Sequence, residues 1–87
     1  MYVIMVYDVG TERVGRVLKV GRKYLTWVQN SVLEGEMTRA QLARLKGELT
    51  AVLDNEHDSV LFYVFRTSQW LKRESLGVQK SEPTWML

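Results

Sequence analysis

Two segments of this chain are apolar on both of the faces that a β-strand presents. In Tyr2 to Asp8 (YVIMVYD), Val3, Met5 and Tyr7 point one way while Ile4 and Val6 point the other. In Ser59 to Thr67 (SVLFYVFRT), Leu61, Tyr63 and Phe65 oppose Val60, Phe62 and Val64. A sheet that meets water on one side alternates apolar with polar residues, so strands of this kind need a cover on each side. The question the sequence poses is what supplies the second cover.

Between the two strands lie two helices and a β-prone stretch. From Glu12 to about Tyr24 the residues Val14, Val17, Leu18, Gly21 and Leu25 follow helical spacing, with Thr11 as a possible N-cap. Thr38 with Gln41 three places on is a capping-box pattern, and Leu42, Leu45, Leu49, Val52 and Leu53 mark the buried stripe of a helix ending near Asp54. Leu25 to Met37 (LTWVQNSVLEGEM) reads as two short strands or one sharply bent strand. Leu71 to Val78 reads as a weaker strand. The order describes a ferredoxin-like βαββαβ sandwich of α+β class, residues 1–78, with an additional C-terminal β-strand. Both helices cover one face of its sheet, and none remains for the other. We therefore expect a homodimer packed sheet to sheet, with the tail at 79–87, ending in the apolar Trp85, Met86 and Leu87, packing on the partner subunit or, as the alternative, on its own sheet.

The 87-residue length suits one domain, and the absence of cysteine excludes disulfides, thiolate metal sites and cysteine nucleophiles and favours an intracellular, cytoplasmic protein. No stretch approaches the roughly 18 apolar residues of a membrane span, and the opening segment lacks the basic leader of a signal peptide. Net charge is only +2. Its distribution says more: Arg13, Arg16, Lys19, Arg22 and Lys23 run without an intervening acid, so one face should be markedly positive.

Asp8 closes the first strand on the same side as Ile4 and Val6. In an isologous dimer a residue near the two-fold axis meets its own copy, so one position can bring two carboxylates together. Two such carboxylates share a proton or hold a cation, and magnesium or manganese suits an oxygen site with few protein ligands that acts on phosphate esters. The alternative is a turn, with Asp8 bonding nearby amides and Gly10 relieving the backbone. Arg13 and Arg16, with Lys23, form a candidate phosphate-binding stripe near Asp8, whose alternative is a solvated helix face. His57 sits in an acidic loop, DNEHD, that looks solvated rather than metal-binding. No glycine-rich phosphate loop is present, so no nucleotide cofactor is implied.

At YDVG, the basic helix and VQNSVLEGEMT, the chain resembles the small ferredoxin-like endoribonuclease family of the CRISPR adaptation module, the second of the numbered CRISPR-associated (Cas) proteins. The resemblance covers nearly the whole chain, although Leu33 stands where an aromatic is usual and Trp27 where an arginine often precedes VQ. It implies a homodimer whose C-terminal strand can join the partner's sheet, a metal-linked catalytic aspartate at Asp8, helix arginines at Arg13 and Arg16, and the motif serine at Ser31. It further implies a magnesium-dependent endonuclease acting on single-stranded RNA or double-stranded DNA, and a bridge that holds DNA between integrase dimers during spacer acquisition. The alternatives are a purely architectural DNA-binding subunit and an mRNA-cleaving toxin of related fold.

Overall fold

The computed structural model describes residues 1–78; the tail expected to pack on a partner lies outside the described residues. The element order is β1 (Tyr2–Asp8), α1 (Thr11–Gly21), β2 (Thr26–Gln29), β3 (Val32–Glu36), α2 (Arg39–Val52) and β4 (Ser59–Phe65). The strands form one antiparallel sheet in the order β2-β3-β1-β4. This is the βαββαβ arrangement that the sequence predicts, with the first strand in the interior of the sheet. Among the described residues, no helix is long and apolar enough to cross a membrane.

The two faces of β1 divide as the alternation requires. Val3, Met5 and Tyr7 are buried with Leu33 of β3, Val17 of α1 and Leu42, Leu45 and Leu49 of α2, which together form the core between sheet and helices. Val60 and Phe62 of β4 pack against the same cluster. The opposite set stays open: Leu61, Tyr63 and Phe65 are 55%, 52% and 38% exposed. Their register partners Val6, Ile4 and Tyr2 share that face.

Local chemistry sets the element ends. Thr38 caps α2 by accepting from the Gln41 amide at 3.1 Å while Gln41 Oε1 accepts from the Thr38 amide at 2.9 Å, closing the reciprocal box. At α1 the expectation of a Thr11 cap is corrected. Gly10 is the N-cap and Thr11 the first helical residue, because the carboxylate that meets this helix end comes from a distant part of the chain. The same helix stops at Gly21, short of Tyr24, where an added Cβ would lie 3.4 Å from Leu33 Cδ2, so backbone and sheet approach closely there. Leu25 to Met37 resolves into two strands. Asn30 turns between them with φ of 42°, a left-handed conformation that asparagine tolerates well.

Leu71 to Val78 is not a strand in this structure. It finds no ladder partner and instead runs back over the open face, where Arg73 pairs with Glu34 and the Tyr2 hydroxyl donates to the same carboxylate. A gap of about 350 Å³ remains between this segment and Ile4, Val32 and Glu34. The segment leaves the apolar face largely bare: Leu76 and Val78 are themselves 100% and 81% exposed.

Candidate functional site

Strand β1 delivers Asp8 to the rim of the sheet, exposed and directly opposite Ser59 of β4. On the other side, the Tyr7 amide donates to the Ser31 carbonyl at 3.0 Å and the Tyr7 hydroxyl to the Asn30 carbonyl at 3.3 Å. Burial pushes the Tyr7 phenol above its ordinary pKa, so it stays a neutral donor. Asp8, Ser31 and the start of α1 therefore meet at one end of the molecule. Strand pairing brings the end of β1 beside Ser31 and Ser59, which are far from it in sequence.

Beside them lies a residue that sequence reasoning left in a solvated loop. The Asp58 side chain is inaccessible to water. Its Oδ1 accepts from the Gly10 amide at 2.8 Å and from Arg13 Nη2 at 2.8 Å, and its Oδ2 accepts from the Asp54 amide at 2.9 Å and from Arg13 Nε. The Arg13 guanidinium, helped by the Asp54 and Gly10 amides, holds this carboxyl far below the usual carboxylate range. Its position at the start of α1 also suits a negative charge. A sequence signal did exist, since Asp58 directly precedes the strand that pairs with β1.

This pairing changes what each basic residue has to offer. Arg13 is spent on Asp58 and, through Nη1, on Glu12 at 2.7 Å. Lys23 is not near Asp8: it follows the far end of α1, about 15 Å from Arg13 at 1.5 Å per residue, and pairs with Glu48 of α2. The Tyr24 hydroxyl donates to the same Glu48. Arg16, Lys19 and Arg22 are exposed at three-residue spacing along α1 and have no ion-pair partner among the described residues. Ser31 is partly buried in the β2–β3 turn. His57 makes an exposed contact with Asp54, Nδ1 to Oδ2 at 3.0 Å.

A divalent cation must be weighed against these donors. Among the described residues, no three histidine, cysteine or carboxylate side chains are grouped as a metal site. Both Asp58 oxygens are occupied and the exposed Glu12 carboxylate is paired with Arg13, which leaves the Asp8 carboxylate as the hard donor that the strand end offers. That suits magnesium, which keeps several of its waters, where a second copy of the residue completes the set.

Sheet order, helix placement and strand-end carboxylate define a small ferredoxin-like α+β protein with a bare apolar sheet face. Within that class, the model of the family described as CRISPR associated protein Cas2 matches residues 1–73, and the chain belongs to this family. It is 51% identical over 82 residues to the CRISPR-associated endoribonuclease Cas2 of Dictyoglomus turgidum, and 52% identical over 82 residues to that of Thermotoga maritima. Each match covers 94% of this chain and 94% of the relative. Among solved structures, a Cas2 crystal structure superposes with a TM-score of 0.86 at 46% identity, over 95% of this chain and 93% of that one. Streptococcus pyogenes Cas2, determined at pH 6.5, gives 0.79 at 37% identity, over 88% of this chain and 100% of that one.

Proposed function

We propose that the chain acts in the cytoplasm as a homodimer, sheet against sheet, in CRISPR adaptation, as a metal-dependent endonuclease on RNA or DNA phosphodiesters and as a DNA-binding bridge to the integrase. The observation that carries this reading is the place of Asp8, at the rim of an open face bearing Leu61, Tyr63 and Phe65. A second copy seated on that face removes these side chains from water and brings the same carboxylate from both chains to one rim. Asp8 would hold a magnesium or manganese ion there through its carboxylate, and the ion would supply an activated water and offset the charge developing on the phosphate oxygens. Arg16, with Lys19 and Arg22 beside it, holds backbone phosphates without reading sequence. Ser31, in the turn beside Asp8, borders the bound strand.

The test compares wild type with Asp8→Asn for magnesium-dependent cleavage of single-stranded RNA and of duplex DNA, together with duplex binding. The expected result is loss of cleavage with binding unchanged. Equal trace cleavage by both proteins would refute the enzyme and leave the bridge. That second reading, an architectural subunit, is favoured by the lack of any grouped set of three metal-binding side chains among the described residues.

A further inference from the structure

We infer that Asp58 and Arg13 are a positioning pair for Asp8, and that Arg13 is for this reason not a phosphate ligand; the inference rests on the nuclease reading above. Arg13 turns its Nε and Nη2 onto Asp58 and its Nη1 onto Glu12, so each nitrogen of the guanidinium is engaged within the chain. The side chain is only 18% exposed. A phosphate that drew the guanidinium off Asp58 would leave a buried charge unpaired, and the N–H groups that Asp58 and Glu12 do not use sit on a side chain with little surface to offer.

What the pair holds is the frame around Asp8. Gly10, two residues after Asp8, donates its amide to Asp58, and Ser59, one residue after Asp58, lies opposite Asp8 in the ladder. The exit of β1 and the entry of β4 are thus tied by one carboxylate on the two sides of the functional one. Gly10 is fitted to this arrangement: a Cβ there would lie 2.6 Å from Arg13 Nη2, so any larger residue displaces the guanidinium. The catalytic carboxylate sits on the surface while the groups that aim it are withdrawn from solvent.

The full-length variants Asp58→Asn, Arg13→Gln and Arg13→Lys, with Asp8→Asn and Arg16→Gln alongside, test the assignment. Loss of an aiming group costs roughly ten- to a hundredfold in kcat, so Asp58→Asn and Arg13→Gln should both fall in that range with KM little changed, and Arg13→Lys should recover part of the loss. Amide exchange at Gly10 should quicken about tenfold in both while exchange at Leu45, in the core of α2, holds. Arg13→Gln should leave the salt slope of duplex binding at the wild-type value, whereas Arg16→Gln lowers it by about one. A slope lowered by about one in Arg13→Gln, or wild-type kcat in Asp58→Asn, overturns the proposal. Should Asp58→Asn fail to fold, Gly10→Ala displaces Arg13 with both charges kept and must reproduce the kcat loss. If Asp8→Asn cleaves like wild type, the nuclease reading fails on its own, and Gly10 exchange with the salt slope still decides whether the pair is a clamp or a phosphate site.

Discussion

Replacing Leu61 with Asp puts the sheet-to-sheet arrangement under direct strain. Leu61 lies in the middle of β4, opposite Val6, on the face away from the helices, and is 55% exposed in the single chain. In a monomer the new carboxylate would remain hydrated, so the fold should survive. In the proposed dimer each copy would carry it into an apolar contact. Withdrawing an ion from water costs several kcal/mol, and taking ~3 kcal/mol for each gives ~6 kcal/mol for the symmetric pair. At 1.4 kcal/mol per decade that weakens association about ten-thousandfold, moving a dimer with Kd of roughly 1 µM to about 10 mM. Light scattering on a sizing column, with circular dichroism to confirm folding, should show a folded monomer at any workable concentration. A Leu61→Asp dimer at about 10 µM, or a wild-type monomer there, would refute the reasoning.

Three further outcomes concern the single chain. Gly47, in the middle of α2, and Gly15, in α1, have open space where a Cβ would go, so Gly47→Ala and Gly15→Ala should each stabilise by about 0.5–1 kcal/mol. At equal protomer concentration this reads as a Tm gain of about 2–8 °C each, and a fall in Tm would contradict the local picture. Leu45 is fully buried between α2 and the sheet, and Leu45→Ala should cost about 2–5 kcal/mol by denaturant unfolding. The carboxyl of Asp58 is lowered by Arg13, that of Asp54 by the Glu56 amide and that of Glu48 by Lys23, so their contributions are present above the unfolded carboxyl range and are lost as pH falls through the depressed folded values. Thermal melts at about pH 7, 5 and 3 should fall steeply only in the last interval, and Asp58→Asn should differ from wild type most at neutral pH, the gap closing in acid.

The fold was legible because its determinants are local and periodic. Thr38 and Gln41 lie within one helical turn, Leu42, Leu45 and Leu49 repeat at helical spacing, and the two-sided apolar character of β1 and β4 is visible residue by residue. Asp8 could be singled out for the same reason, as a charge ending an apolar strand. The partner of Arg13 could not, because the two residues stand 45 positions apart and meet only once β1 and β4 have paired. A run of like charges reads as a free basic face until its counter-ions are placed. Two of the five basic residues prove to be committed, Arg13 to Asp58 and Lys23 to Glu48. Leu71 to Val78 misled for a related reason: β-propensity describes a willingness to pair, and among the described residues this segment has no strand to pair with.

The two committed residues also change how α1 should behave mechanically. Arg13 pins its first turn to the loop before β4, and Lys23 with Tyr24 pins the segment after its last turn to Glu48 on α2. Arg16, Lys19 and Arg22 lie on the span between these supports. A helix fastened at one end would swing toward a polyanion, and its ordering would be charged against affinity. Fastened at both, α1 is a beam whose bearing is set when the chain folds, so the proposed contact with a phosphate backbone would have only the ends of three side chains left to order.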